Sequence, residues 1–132
     1  MNNFCVIPWI SISSDNAGLV RPCCKFAEKD KQDEYPTGSL KEKNYEEIWN
    51  SDAFKKIRQA FLDNKKIPEC SSCWKEEAAG HTSYRNMFNR SYLENKEYGL
   101  QSGRLDPDTG VRLVAHTLVA SAEARAHCSN SR

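Results

Sequence analysis

The chain has 132 residues, which is the size of one domain with room for a short extension. Its formal net charge is +1, so no general positive field favours binding to nucleic acid. No apolar run is long enough to span a membrane, and the first residues lack the basic and apolar regions of a signal peptide. We therefore expect a cytoplasmic protein, in which six cysteines favour metal or redox chemistry over disulfides.

The first predicted element is a β-hairpin near the N-terminus. Residues 5–13 are rich in β-formers, and residues 15–18 (Asp-Asn-Ala-Gly) are a turn signal. Residues 19–21 predict the returning strand. The charged segment 25–38, which contains proline and glycine, predicts a loop.

The register of this hairpin raises a difficulty for a shared cysteine site. With the turn centred between residues 16 and 17, Cys23 lies opposite Ile10. Cys5 is then about 17 Å further along the strand, at ~3.3 Å per residue. Either the loop is longer than this, or Pro8 bends the chain back.

Two capped helices are predicted after the loop. Asn44 precedes a short helix over residues 45–49, with Glu47 as its capping-box partner. Ser51 precedes residues 52–64, whose apolar side chains recur at helical spacing and predict an amphipathic helix.

Two further helices are predicted after Pro68, over about residues 72–79 and 83–96, with Gly80 as the break between them. This order of elements predicts an α+β domain with a small N-terminal β-hairpin followed by helices.

The composition changes near residue 99. All eleven lysines and all thirteen aromatic residues lie within residues 1–98, whereas Ala, Ser and Arg dominate residues 99–132. We predict a domain over residues 4–98 and an irregular, poorly packed tail over residues 99–132. Residue types that use AT-rich codons, such as Lys, Asn and Ile, are typical of the first part, whereas Ala, Arg and Gly, which use GC-rich codons, are typical of the tail. This difference leaves two origins open. The tail is either a genuine extension or the product of a frameshift, a fusion or an assembly artefact.

Four cysteines form the candidate site. Cys70 and Cys73 make a C-x-x-C knuckle, whose tight turn aims two sulfurs at one point and frees backbone N–H groups toward them. Cys5 and Cys23 frame Gly18, which permits the hairpin turn and brings two more sulfurs. Four thiolates complete either a tetrahedral zinc site or an iron–sulfur cluster, and ligand type alone does not separate the two.

The remaining cysteines leave a choice open. Adjacent side chains of an extended chain point to opposite sides, so only one of Cys23 and Cys24 is expected to serve the site. We prefer Cys23 and expect Cys24 to be a buried apolar thiol. Cys128 lies in the tail and is expected to be incidental. A thiol oxidoreductase that uses the knuckle would need a βαβ context, which the sequence does not indicate.

These residues resemble a known family over about residues 4–89. The family is SPASM, in its shorter form twitch, which is the auxiliary-cluster domain of radical S-adenosylmethionine enzymes. The segments that carry the resemblance are Cys5-Val6-Ile7-Pro8-Trp9, Gly18-Leu19-Val20-Arg21-Pro22-Cys23-Cys24, Gly38-Ser39-Leu40, Glu47-Ile48-Trp49-Asn50-Ser51 and Pro68-Glu69-Cys70-Ser71-Ser72-Cys73-Trp74, extended by Glu76, Gly80, Ser83 and Arg85.

The resemblance implies helices around one auxiliary 4Fe–4S cluster, with Cys5, Cys23, Cys70 and Cys73 as ligands. The cluster would relay electrons or help to place a substrate, and the domain would not be catalytic alone. Its expected partners are a radical core or a peptide or protein substrate. The C-x-x-x-C-x-x-C motif for S-adenosylmethionine is absent from these residues, so that cofactor is expected only in a separate core. The alternative is a structural zinc-binding module for protein interaction.

Several side chains near these cysteines have both a functional and an ordinary interpretation. Basic residues beside the ligands either offset cluster charge or are simply solvated: Arg21, Lys25 and Lys75. Trp9 and Trp74 either shield the cluster or pack in the core. Arg85, with Ser83, either contacts the cluster loop or a partner domain, or is a surface residue, which we favour. His81 is expected in a solvated loop.

Overall fold

A computed structural model describes residues 3–93 of the chain. Within that range the helices are α1 (Ile7–Ile10), α2 (Tyr45–Trp49), α3 (Asp52–Leu62), α4 (Ser71–Ala78) and α5 (Tyr84–Leu93). The strands are β1 (Ser13–Ser14), β2 (Leu19–Arg21) and β3 (Gly38–Ser39). Short 3-10 turns occur at Lys29–Lys31 and Pro68–Cys70.

Helix α1 replaces most of the first predicted strand. The prediction of β-structure over residues 5–13 is wrong except at Ser13, which pairs in β1. Pro8 lies in the first turn of α1, where the helix needs no N–H group from it. All four residues of α1 are buried, which suits a helical turn enclosed by the core better than a strand with one solvated face.

This helical turn shortens the path between Cys5 and the hairpin. A helix rises about 1.5 Å per residue, against about 3.3 Å for a strand. The register also differs from the prediction, because Ser14 pairs with Val20 and the turn centres on Ala17. The loop is therefore one residue longer than predicted, and a helical turn at Pro8 interrupts the predicted strand.

The hairpin turn itself is confirmed. Asp15 Oδ1 accepts the backbone N–H groups of Ala17 at 2.9 Å and Leu19 at 3.0 Å. Gly18 has a φ of 91°, a region that side chains with a Cβ rarely adopt. Its carbonyl oxygen accepts the N–H of Leu40 at 2.8 Å, which ties the turn to the strand that follows the loop.

Strand β3 was not predicted. Gly38 and Ser39 pair antiparallel with Val20 and Leu19, which makes a three-stranded sheet in the order β1-β2-β3. The predicted loop over residues 25–38 is therefore wrong at its end. A strand of two residues is too short to show an alternation of apolar and polar side chains in the sequence.

The capped helices follow the prediction closely. Helix α2 has its predicted bounds, and Asn44 Oδ1 accepts the N–H of Glu47 at 2.9 Å. Helix α3 begins after Ser51, whose Oγ accepts the N–H of Phe54 at 3.4 Å. It ends at Leu62, two residues before its predicted end.

The last two helices flank the predicted break. Helix α4 lies one residue earlier than predicted, and Gly80 with a φ of 81° follows it. Helix α5 begins at Tyr84. Its predicted end at residue 96, and the tail over residues 99–132 with Cys128, lie outside the described residues.

The α+β class is confirmed, and the core lies between α1, α3 and α5. The side chains of this core include all four candidate cysteines, three of them buried. A smaller cluster formed by Val20, Ile48, Trp49 and Phe54 joins the sheet to α2 and α3. None of the helices in the described part of the chain has the length and hydropathy needed to cross a membrane.

Candidate metal centre

Four free thiols come from four different places in the fold. Cys5 lies two residues before α1, Cys23 follows β2, Cys70 ends a 3-10 turn, and Cys73 lies in the first turn of α4. Cys5, Cys23 and Cys73 are buried, whereas Cys70 is partly exposed. The structure thus brings all four predicted ligands to one part of the core, while their role as ligands stays a prediction.

Electrostatic interactions join every pair of these thiols. Burial is the main cause that raises the pKa of Cys70, and the charges of Cys23, Cys5 and Cys73 raise it further. Burial is also the main cause that raises the pKa of Cys5. The charge of Cys23 raises this pKa further, and that of Cys73 does so to a smaller extent. Burial and then Cys73 raise the pKa of Cys23 to about 12. The four sulfurs therefore share one pocket.

The arrangement of the four thiols differs from that of a site for one metal ion. At a Zn–S distance of about 2.3 Å, tetrahedral thiolates lie only about 3.8 Å apart. Among residues 3–93, no three His, Cys, Asp or Glu side chains are placed to hold a single metal ion.

Backbone N–H groups point toward three of the sulfurs, but they come from segments outside the knuckle and not, as the sequence predicts, from its own turn. The N–H of Ile7 hydrogen-bonds Cys5, those of Lys25 and Phe26 hydrogen-bond Cys23, and that of Arg85 hydrogen-bonds Cys73. Each contact lowers the pKa of its thiol against the larger effect of burial. Such donors stabilise a thiolate once a metal has displaced the proton.

Cationic side chains act on the same thiols. Arg21, which is buried, lowers the pKa of Cys23, and Lys25 lowers that of Cys73. Both therefore have the charge-offsetting position that the sequence analysis considered. Lys75 is exposed, which agrees with the solvated interpretation. Burial outweighs these cations, so the free thiols stay protonated at neutral pH.

Comparison with protein-family models gives one match, to SPASM, described as an iron-sulfur cluster-binding domain, over residues 5–74. The matched segment spans more than half of the chain. The chain belongs to the SPASM family. Membership implies iron–sulfur cluster binding, and four free cysteines with N–H donors and nearby cations are a donor set that fits such a cluster. No curated protein and no solved structure was found to match the chain.

Two tryptophans that lie near Cys5 and Cys73 in the sequence belong to the same SPASM core. Trp9 is 2% exposed and its ring stacks on Phe4 at a centroid distance of 5.5 Å. Trp74 is buried, and its Nε1 donates to the carbonyl oxygen of Ile67 at 2.7 Å. Both rings belong to the core cluster that contains the cysteines, so core packing and shielding from water are the same contact here.

Arg85 is buried, so the expectation of a surface arginine is wrong. Its Nη1 donates to the carbonyl oxygen of Phe4 at 2.6 Å, immediately before Cys5. Its Nε and Nη2 donate to the two carboxylate oxygens of Glu77 at 2.9 Å and 2.7 Å. The alternative interpretation, a contact to the cluster loop, is confirmed. An arginine's position in sequence does not reveal burial, because burial of its charge depends on a partner from another helix.

Glu69 is a structural residue that the sequence analysis did not single out. It is 2% exposed, and its Oε1 accepts the backbone N–H groups of Glu34 at 3.0 Å and Tyr35 at 3.2 Å. Its carbonyl oxygen accepts the N–H of Ala27 at 2.9 Å. Glu69 therefore fastens the long loop to the knuckle. The only sequence signal was an acidic residue directly before Cys70.

Two residues have peripheral positions. Cys24 is half-buried at the edge of the core cluster and is disulfide-bonded, so the expectation of a buried apolar thiol is wrong. Cys23 lies inside the cluster. His81 is exposed, as expected for a solvated loop residue.

The Glu77 carboxylate predicts one pH dependence of stability. Burial would raise its pKa, but hydrogen bonds from Arg85 and Ser83 outweigh burial and lower it. A carboxyl whose pKa is lower in the folded state stabilises the fold above its unfolded pKa, and this contribution disappears as the pH falls through its folded pKa. We expect Glu77→Gln to reduce the loss of melting temperature as the pH falls below the ordinary carboxyl pKa of 4.5, from about pH 5 to about pH 2. An unchanged loss in the variant would contradict this assignment, and Glu76→Gln is the matched control.

Proposed function

We propose that this SPASM domain supplies one auxiliary 4Fe–4S cluster to a radical S-adenosylmethionine enzyme and does not act as a catalyst alone. The observation that carries the proposal is the meeting of four free thiols in one core pocket of a SPASM chain. Four cysteines are the usual protein ligands of a 4Fe–4S cluster. The ligands are Cys5, Cys23, Cys70 and Cys73.

The residues around the pocket support a redox role. When bound, a cluster of this type supplies one-electron chemistry, with a potential that depends on hydrogen bonds to sulfur, burial and nearby charge. All three features are present here. N–H groups reach three sulfurs, three ligands are buried, and Arg21 and Arg85 carry buried positive charge nearby.

Cys70 marks the side of the pocket that is closest to solvent. It is the one partly exposed thiol among the four, and it follows the exposed Pro68. We assign this side to the approach of the electron partner or the substrate, because electron transfer needs a short path from the surface. The proposed partner is a radical core, and the proposed substrate class is a peptide or protein. The proposed location is the cytoplasm.

Metal analysis after anaerobic purification tests the proposal. We expect a brown protein with about four irons and four sulfides per chain, as a 4Fe–4S cluster requires. The full chain is reconstituted with iron and sulfide, and zinc is measured in parallel. A colourless protein that holds one zinc, even after reconstitution, would support the structural zinc module in place of the cluster.

A pair of neighbouring variants tests which adjacent cysteine is the ligand. Cys23→Ala should lose most of the iron, because Cys23 lies within the pocket and receives two N–H donors. Cys24→Ala should keep its iron and sulfide, because Cys24 packs at the edge of the core. The measurement is iron and sulfide per chain with the visible absorbance of the cluster. Equal losses in the two variants would contradict the assignment.

A further inference from the structure

Helix α5 lies outside the segment that matches the family, yet it contacts the first ligand. Asn89 is the centre of this contact. Its Nδ2 donates to the carbonyl oxygen of Phe4 at 2.8 Å, and its Oδ1 accepts the N–H of Val6 at 2.8 Å. One side-chain amide therefore binds the backbone on both sides of Cys5.

Arg85 lies one turn before Asn89 and reaches the same backbone. Its Nη1 donates to the Phe4 carbonyl oxygen at 2.6 Å, which thus accepts from both side chains. Residues four apart on a helix share one face, so the two contacts are parts of one surface. The guanidinium carbon also lies 4.9 Å from the centroid of the Trp74 ring.

Arg85 joins this surface to the other half of the ligand set. Its guanidinium binds both oxygens of Glu77, which lies on the same helix as Cys73. Ser83 Oγ donates to Glu77 Oε1 at 2.6 Å, so the carboxylate is held from two sides. The backbone N–H of Arg85 meanwhile donates to Cys73. A single residue therefore touches the segments that carry Cys5 and Cys73.

We propose that Arg85 and Asn89 are positioning residues that hold Cys5 in place for the cluster, and that the charge of Arg85 raises the cluster's reduction potential. The potential part rests on the cluster binding proposed above. The positioning part concerns the protein alone. We call the two side chains the α5 clamp.

The guanidinium of Arg85 is buried, and its positive charge acts on Cys5. Reduction adds a negative charge to the cluster, and a buried cation nearby favours the reduced state. Glu77 opposes this effect, because its carboxylate pairs with Arg85. Removing the cation should therefore lower the potential, and removing the carboxylate with Glu77→Gln should raise it. Opposite shifts from the two variants would not arise from a general loosening of the fold.

Amide hydrogen exchange tests the positioning part on the full reduced chain without a cluster. We expect Asn89→Ala to speed exchange of the Val6 N–H by about tenfold or more, because its acceptor is lost. Amides of α3 serve as the internal reference for global unfolding. If they also exchange faster, Asn89→Asp replaces Asn89→Ala, since it keeps the acceptor for Val6 and should leave that amide protected. Unchanged Val6 exchange in Asn89→Ala, or loss of Val6 protection in Asn89→Asp, would overturn the clamp.

Redox titration tests the charge part on the reconstituted full chain. We expect Arg85→Gln to disfavour the reduced state by about tenfold, which is about 59 mV for a one-electron couple. Arg85→Lys keeps the charge and should stay near the wild-type potential. Arg90→Gln is the matched control, because Arg90 is an exposed arginine on the same helix. A wild-type potential in Arg85→Gln would overturn the charge part.

The two experiments separate failure of this inference from failure of the proposed function. A wild-type chain that takes up no iron and sulfide contradicts the proposed function, while the exchange of the Val6 amide still decides the clamp. If the wild type takes up the cluster but the Arg85 and Asn89 variants change neither the exchange of the Val6 amide nor the potential, the clamp is contradicted. The cluster assignment then still stands.

Discussion

Replacing Cys73 by alanine is expected to remove iron–sulfur binding and to lower the melting temperature of the loaded protein by about 10 °C or more. The reason is that a bound metal group stabilises only the folded state, so its binding energy is folding energy. A loss of about 3 kcal/mol corresponds to a shift of this size in a domain of under 100 residues. Cys70→Ala should behave in the same way. The measurements are iron per chain and thermal unfolding after anaerobic reconstitution.

The control for Cys73→Ala lies beside it in the knuckle. Ser72→Ala changes a half-buried neighbour on the same turn of α4 and leaves all four thiols in place. It should keep its iron and its melting temperature. Full iron content in Cys73→Ala would show that the four cysteines do not form the ligand set.

Replacing Arg58 by alanine should destabilise the protein even without a cluster. Arg58 lies on α3 and is 0% exposed, and its Nε donates to the carbonyl oxygen of Pro8 at 2.9 Å. Its guanidinium carbon lies 4.6 Å from the centroid of the Trp49 ring. The substitution leaves a large cavity in the core. It also removes the hydrogen bond that Arg58 donates to α1. We expect the free energy of unfolding to fall by about 3 kcal/mol.

Denaturant unfolding of the reduced, cluster-free chain measures this effect. Lys56→Ala is the matched control, because Lys56 is an exposed cation on the same helix. It should change the free energy of unfolding by no more than about 0.5 kcal/mol. Equal effects of the two substitutions would show that Arg58 does not link α3 to α1. In that case, a loss of cluster affinity in Arg58→Ala would not be caused by a broken link between α3 and α1.

Caps, turn residues and helical spacing within short stretches of the sequence predicted much of the fold. The bounds of α2 were predictable because Asn44 and Glu47 supply a cap, and the side chains of α3 recur at helical spacing. The hairpin turn was predictable because Asp15 and Gly18 have specific backbone roles. In each case the residues that determine the structure lie within one or two turns of chain.

Helix α1 and strand β3 were not predictable on the same grounds. The residues of α1 are apolar and partly β-branched, and only enclosure by α3 and α5 favours a helical turn over a strand. Strand β3 is two residues long and exists because β2 offers a partner. Both elements depend on contacts between distant segments, which periodicity does not record.

For the site, the sequence by itself determined which sulfurs are available. The C-x-x-C knuckle and the Cys5–Gly18–Cys23 spacing indicated four ligands and the SPASM family, because ligand type and turn chemistry are local properties. Only the tertiary structure decided how Cys5 reaches the other three, through α1 and the α5 clamp. It also decided that Arg85 is buried. The physical reason is that the burial of the Arg85 charge and the contacts on either side of Cys5 join residues more than eighty positions apart in sequence, such as Arg85 and Phe4.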